Sequence, residues 1–167
     1  MKILLLFLLL SYSTTYSDKI SIINVRELFI KSVKDESSCK KLIDLLANHN
    51  ETNNQTLAGY KACASMIMGS HAFNPMTKYA YFKEGKILLE KAIKADKENI
   101  ELCFLRFTIQ SNIPHLLGYN QAMVNDKRML LASVPTMKDL HLKQMIISYF
   151  QKSTHLSLTE KKILYGK

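Results

Sequence analysis

The sequence predicts an all-α protein, and three observations support this prediction. Apolar residues recur at i, i+3 and i+4 along most of the 167 residues, whereas the alternation typical of strands is rare. Helix-start and helix-breaking signals recur at Asn74-Pro75, at Pro135-Thr136 and from Ser157 to Glu160. Short polar turns separate the periodic segments. The pattern therefore predicts seven or eight short helices arranged as antiparallel helical hairpins.

The first 17 residues predict a signal peptide. Lys2 supplies the positive start, and an apolar run of eight residues extends from Ile3 to Leu10. Since a membrane-spanning helix needs about 20 residues, this run fits a secretory leader better. Thr15 and Ser17 place small side chains before a cleavage site after residue 17. We therefore expect a periplasmic or secreted domain over 18–167 with no transmembrane segment, and the alternative is a retained signal anchor.

Chain length and charge limit the classes of partner. The remaining 150 residues suit one domain with its own core. The net charge of +9 falls to +8 without Lys2, and residues 126–167 hold eight basic and three acidic residues. These lysines lack the interleaved aromatic residues of a nucleic-acid surface, so we expect no nucleic-acid partner. Weak contact with anionic surfaces stays open.

The three cysteines, Cys39, Cys63 and Cys103, form no CxxC pair, and each lies within an apolar periodic segment. This placement favours small core residues over a disulfide framework. One bridge between two of them stays open.

The first three helices are predicted from their periodicity and their ends. Residues 21–34 form the first, with a buried stripe, and Ser37-Ser38 begins the second, which ends in the polar turn 48–54. The third begins near Gln55, is rich in small residues that permit close helix packing, and is broken by Asn74-Pro75. The stripe of the first helix consists of Ile23, Leu28 (with Val25 and Phe29), Ile30 and Val33.

The later helices follow the same signals. The fourth, fifth and sixth are predicted at 77–95, 99–111 and 120–132. A seventh runs from Pro135 through Phe150, with Thr136 and Asp139 forming its capping pattern. A short last helix is capped by Ser157 and Glu160.

One segment, EGKILLEKAIKADKENIELCFLRF at 84–107, carries a repeat-like pattern. Gly85 and Ala92 are small where helices would cross, Leu89 lies between them, and Asp96 would cap the following helix. The segment resembles the second half of a tetratricopeptide repeat and the start of the next one, although Lys97 stands where that family usually has proline. The resemblance implies helical hairpins stacked in a tetratricopeptide-like array.

The chain as a whole also resembles a group of small exported bacterial proteins that are common in Bacteroidetes, notably along NIELCFLRFTIQSNIPHLLGYN. This resemblance implies an exported helical fold. It carries over no catalytic residue.

A group of soft ligands gives the strongest pattern for a metal. Met66, Met68, His71 and Met76 would suit Cu(I) in an exported protein. However, Met66 and Met68 lie about 200° apart around a helix, so they could share an ion only if the helix unwound at Gly69-Ser70. Methionine as core filler is the simpler interpretation. We expect no metal and no cofactor.

The patterns for catalysis are weaker. Cys63 or Cys103 could pair with His71 or His115 only if the fold brought them into contact. No GxSxG, HExxH or glycine-rich phosphate loop is present. The acidic residues between 84 and 101 alternate with lysines, which predicts a charged outer face that includes Glu90 and Glu101. We expect no catalytic residues and no enzymatic activity.

The segment 106–120, RFTIQSNIPHLLGYN, predicts a bend between two helices. Its apolar residues Ile113, Leu116 and Leu117 should fold back onto the core, with Arg106 as a brace and Gly118 at positive φ. Polar residues on a loop held by a rigid scaffold also fit a binding corner. The candidate binding residues are Arg106, His115, Tyr119 and Asn120.

Together these patterns predict an exported, monomeric, non-catalytic binding or scaffold module in the cell envelope. It would recognise a protein or peptide partner in a groove between stacked helices. The alternative is a small secreted hydrolase or metal-handling protein that uses the loops around His71 and His115.

Overall fold

The computed structural model describes residues 20–47 and 54–165, and within these ranges the chain is all-α, as predicted. It forms eight α-helices, with 3-10 turns at His115–Leu117 and Val134–Thr136 and no strand in the described ranges. The predicted signal peptide and most of the turn 48–54 lie outside the described residues. The helices are α1 (Ile22–Ser32), α2 (Glu36–Ala47), α3 (Gln55–His71), α4 (Pro75–Ala95), α5 (Ile100–Gln110), α6 (Met123–Ser133), α7 (Leu140–Lys152) and α8 (Leu158–Tyr165).

Most of the helices begin at a polar side chain that accepts from the first turn. The Asn54 side chain accepts from the Leu57 amide at 3.1 Å, and Asn74 accepts from the Met76 amide at 2.8 Å. Pro75 is the first residue of α4, where its missing N–H costs nothing, so α4 begins two residues earlier than predicted. Ser157 and Glu160 form the predicted capping box, since each side chain bonds the other residue's amide, at 3.2 and 2.8 Å.

Three predicted caps are wrong, and in each case a better-placed acceptor replaces them. Asp35 caps α2 in place of Ser37-Ser38, and hydrogen bonds from both serines lower its pKa to about 2. Asn99 caps α5, while Asp96 ends α4 and accepts from Asn99. Thr136 lies in a separate 3-10 turn, and Asp139 is itself the N-cap of α7.

The buried face of α1 agrees with the prediction only in part. Val25 and Phe29 are buried as predicted, but Ile23, Ile30 and Val33 are exposed, and the polar Arg26 and Ser32 are buried in their place. The Arg26 side chain reaches carboxylates on α5 and at the start of α7, and Phe29 packs edge-on against Tyr60 with ring centroids 5.3 Å apart. These contacts set the rotation of α1.

The centre of the core is α3, whose small residues allow close helix packing as predicted. A Cβ on Gly85 of α4 would lie 2.5 Å from both the Ala62 carbonyl and the Met66 Cγ of α3. A Cβ on Gly59 would collide with Leu102 of α5. Helices α1, α2, α4 and α5 all pack on α3.

The second half of the molecule is built around α5. Phe104 and Phe107 make ring contacts with Tyr149 of α7, and Phe107 also contacts Phe150. Helix α6 packs on α5, and α8 is joined to α6 by an ion pair of 2.7 Å between Lys127 and Glu160.

All three cysteines are buried and unbridged, as their apolar surroundings predict. Burial raises the pKa of Cys39 to about 11, and it raises the pKa of Cys63 and Cys103 further. These thiols are therefore protonated and poor nucleophiles near neutral pH.

Among the described helices, none has the length and apolar character needed to cross a bilayer.

Candidate functional site

A first cluster of buried charge joins four parts of the chain, and we call it the Arg26 network: Arg26, Tyr60, Glu101 and Asp139. The Arg26 guanidinium donates to both oxygens of Glu101, each at 2.7 Å, and to both oxygens of Asp139, at 3.2 and 2.7 Å. The Tyr60 hydroxyl donates to Glu101 at 2.6 Å. The network ties α1 to α3, α5 and the start of α7.

The electrostatics of the Arg26 network favour one protonation state. Hydrogen bonding to Glu101, opposed in part by burial, raises the pKa of Arg26, and hydrogen bonding to Arg26 lowers the pKa of Asp139. Burial and the Glu101 charge raise the pKa of Tyr60, so its hydroxyl remains a neutral donor.

A second cluster, the Arg106 network, consists of Glu90, Arg106, Tyr119 and Asp126. Arg106 donates to both oxygens of Asp126, at 2.8 and 2.7 Å, and to Glu90 at 3.1 Å. The Tyr119 hydroxyl donates to Glu90 at 2.5 Å, and burial together with this bond raises the pKa of Tyr119. The network joins α4, α5, α6 and the segment between α5 and α6.

Both arginines are fully engaged by carboxylates of the same chain. Each guanidinium donates to one buried carboxylate and to a second, more exposed one. The buried carboxylates are Glu101 and Asp126, and the more exposed ones are Asp139 and Glu90. Such charge-assisted, two-pronged pairs fix geometry strongly. These polar groups therefore act as internal cross-links between helices and do not present a free anion-binding fork.

The predicted charged outer face is wrong at Glu101 and only partly right at Glu90. Glu101 is buried against Arg26, whereas the Glu90 side chain is 39 % exposed but bonds Arg106 and Tyr119. Alternation with lysines along the sequence concealed this because the arginine partners lie on other helices. One signal was available in the sequence: Arg26 lies three residues before Phe29, a residue of the predicted stripe, and therefore on the same face of the helix.

The segment 106–120 forms an ordered corner, and the predicted site residues divide into two groups there. Arg106 and Tyr119 meet through Glu90, whereas His115 and Asn120 are exposed. Gly118 has the expected positive φ of 57°. Arg106 braces the corner through carboxylates and not through the backbone of the loop.

The apolar part of the corner is only half packed. Ile113 and Leu117 lie against the core, but the Leu116 side chain is 88 % exposed, contrary to the prediction. It belongs to a 3-10 turn that Pro114 and Gly118 bound on either side. This turn points Leu116 into solvent while Tyr119, three residues later, is buried.

The Met66, Met68, His71 and Met76 group shows no convergence on a common point. Helix α3 is continuous through His71, so the unwinding that a shared ion would need is absent there. Met66 and Met68 are buried, Met76 is exposed, and His71 Nε2 donates to the Ser32 carbonyl at 2.7 Å. Within the described ranges, no three His, Cys, Asp or Glu side chains are grouped to hold a metal ion.

His71 and His115 have different surroundings. His71 bonds the Ser32 carbonyl at the end of α1, whereas His115 is exposed on the 3-10 turn between α5 and α6. Among the described residues, no hydrogen bond or ring contact joins the two histidines.

A further group of exposed side chains was missed in the sequence, and we call it the hairpin-end patch. Its members lie at the end of α1, in the α3–α4 connection and at the start of α4, and the most exposed are Phe73, at 101 %, and Met76, at 76 %. Helical periodicity concealed the patch because it assigned Ile30 and Val33 to the core. The patch consists of Ile30, Val33, Phe73, Met76 and Tyr79.

Comparison with protein-family models, with curated proteins and with solved structures gives no match to this chain.

Proposed function

We propose that the chain is an exported, non-catalytic binding module that recognises a protein or peptide partner in the cell envelope. The observation that carries this proposal is a pair of exposed apolar side chains on either side of Tyr119, namely Leu116 in the corner at 106–120 and Val124 in the first turn of α6. Tyr119 itself is buried in the Arg106 network. Apolar side chains presented from an ordered, rigid base are suited to recognition.

Two features support a role without catalysis. The three thiols are buried and protonated, and the arginine and carboxylate side chains of both networks are engaged with one another. Each tyrosine of the networks donates to a carboxylate that also binds an arginine, and its raised pKa keeps the hydroxyl a neutral donor instead of a phenolate nucleophile.

We further propose that the helices stack as tetratricopeptide-like hairpins. Three residues of the repeat-like segment have the environments that the resemblance implies. Gly85 lies at the crossing with α3, and Leu89 and Ala92 are buried. In such a stack, the partner would lie along the corner and the adjoining groove between helices.

Site-specific photo-crosslinking in the source cells tests the partner proposal. A photoreactive phenylalanine analogue is placed at position 116 or 124, and at position 158 as a matched control, because Leu158 is equally exposed but lies on α8. We expect a discrete protein adduct from 116 and 124 that is absent from 158.

Loss of that adduct in a Leu116→Ser variant carrying the analogue at 124 would support recognition through the corner. The proposal fails if positions 116 and 124 give no adduct, or if position 158 gives the same one.

A further inference from the structure

We propose that the hairpin-end patch docks onto an anionic lipid bilayer, with its apolar side chains entering the interface and neighbouring lysines contacting lipid headgroups. This inference is independent of the partner corner, because it concerns the other half of α4 and a different set of side chains.

The patch presents five exposed apolar or aromatic side chains. Phe73 and Met76 are almost wholly in solvent, and Tyr79 follows one helical turn after Met76. Ile30 and Val33 are more than half exposed and lie one turn apart at the end of α1. Transfer of such side chains from water into the interface is favourable, and a tyrosine ring suits the headgroup level.

Contacts between the helix ends place these residues at one end of the molecule. His71, at the end of α3, donates to the carbonyl of Ser32 at the end of α1. Gly69 of α3 packs against Lys78 and Tyr81 of α4. The α1–α2 turn and the α3–α4 connection therefore lie side by side.

The uncompensated charge at this end is positive. Lys31, Lys34 and Lys78 are exposed and make no ion pair within the described ranges. The nearby acids balance these lysines only in part. Glu36 pairs with Lys40 at 2.7 Å, while Asp35 and the exposed Glu27 offset two of the three lysines, so one positive charge is in excess. The remaining lysines match an anionic lipid surface, which attracts basic residues placed beside apolar ones.

The location of the patch favours a bilayer over a protein segment. Its side chains project from helix ends and from a connection between helices, whereas helical peptides are usually held in grooves between helices. A surface of projecting apolar residues flanked by lysines can enter a planar interface without any concave wall.

Vesicle flotation tests the inference. The chain is recovered from an exporting host, and its N-terminus is read by mass spectrometry so that all variants share the same start. The probes are vesicles of equimolar phosphatidylcholine and phosphatidylglycerol and vesicles of pure phosphatidylcholine. We expect wild type to float with the anionic vesicles. The partition coefficient of Phe73→Ser/Met76→Ser onto the same vesicles should be lower by about tenfold or more.

Leu140→Ser/Leu158→Ser is the matched control, since both leucines are as exposed as Met76 but lie on α7 and α8. It should float like wild type. Circular dichroism checks that every variant is folded. If the double serine variant is unfolded, it is replaced by the single variant Phe73→Gln, because Phe73 lies in the connection between α3 and α4, outside the helices. The inference is overturned if wild type does not float, or if the folded patch variant partitions as strongly as wild type.

A charge variant separates lipid headgroup binding from apolar partitioning. Lys34→Gln/Lys78→Gln should lower binding to the anionic vesicles by about tenfold or more and leave any binding to pure phosphatidylcholine unchanged. Equal binding of wild type to both kinds of vesicle would contradict the anionic component. Crosslinking of position 73 to a protein in cells, with no flotation, would favour a protein partner and also reject the inference.

Discussion

The Arg26 and Arg106 networks have the same chemical composition, one arginine with two carboxylates and one tyrosine, but they have different structural roles. Arg26 contacts residues 75 and 113 positions away in sequence, whereas Arg106 contacts residues only 16 and 20 positions away. The Arg26 side chain is 3 % exposed and the Arg106 side chain 15 %. The first network closes the fold between its two halves, and the second anchors the local corner.

The same ion-pair chemistry therefore supports the whole fold in the Arg26 network and local order in the Arg106 network. A buried ion pair adds little net stability compared with apolar packing. Loss of one partner, however, leaves the other charge buried and unpaired, which is strongly destabilising. The size of the cost should therefore follow the burial of the charge left behind, and its location should follow the segments that the network joins.

The largest effects are expected when either network loses its arginine, and Arg26→Met is the first such variant. Glu101 would be left buried without its cation, so the free energy of unfolding should fall by about 3–5 kcal/mol. Urea unfolding at neutral pH, followed by circular dichroism, measures this loss. Arg128→Met is the control, since Arg128 is exposed and bonds only Asn125 among the described residues, and it should change stability by less than about 0.5 kcal/mol.

An effect of similar size but more local reach is expected for Arg106→Met. It strands the carboxylate of Asp126, whose side chain is fully buried, so a loss of about 3–5 kcal/mol is expected. Amide hydrogen exchange should show the first opening in the segment 112–124 and not in α1. Equal loss of protection in α1 would contradict the local role of the Arg106 network.

The smallest effect concerns pH and the exposed edge of the Arg26 network. Hydrogen bonds from Arg26 hold the pKa of Asp139 below its unfolded value of about 3.9. The ionised form therefore contributes stability above about pH 4, and this contribution is lost as pH falls through the folded pKa. Because the Asp139 side chain is 45 % exposed, the contribution should stay below about 1 kcal/mol.

Asp139→Asn tests this pH dependence, since asparagine is also a good N-cap and keeps the start of α7. The difference in urea midpoint between wild type and Asp139→Asn should shrink between neutral pH and about pH 3. Asp44→Asn, at an exposed position outside both networks, should show no such change. A constant difference across this range would reject the role of Asp139.

Much of the fold could be predicted from local signals. The all-α class, the start of α3 at Gln55, the Ser157–Glu160 capping box and the buried cysteines depend on periodicity, capping chemistry and local composition. The rotation of α1 could not be predicted, because a buried arginine replaces part of its apolar stripe. Its partners, Glu101 and Asp139, lie on helices far along the chain.

The candidate site was predicted in part for the same reason. Arg106 and Tyr119 were singled out as corner residues, and the structure brings them together, but through Glu90, which had been assigned to the solvent face. The exposure of the Leu116 and Phe73 side chains could not be predicted from the sequence either. An apolar residue near a proline looks the same in sequence whether it packs inward or projects outward.

The most direct test of the central claim, that the Arg26 network closes the fold through a buried charge pair, is the effect of Glu101→Gln in two backgrounds. Glutamine keeps an oxygen to accept from Tyr60 but carries no charge. We expect Glu101→Gln to destabilise the wild type and to stabilise Arg26→Met, where it removes the stranded charge. Urea unfolding of the four proteins measures both effects. The same change in both backgrounds, to within about 0.5 kcal/mol, would show that Arg26 and Glu101 act independently and would contradict the account.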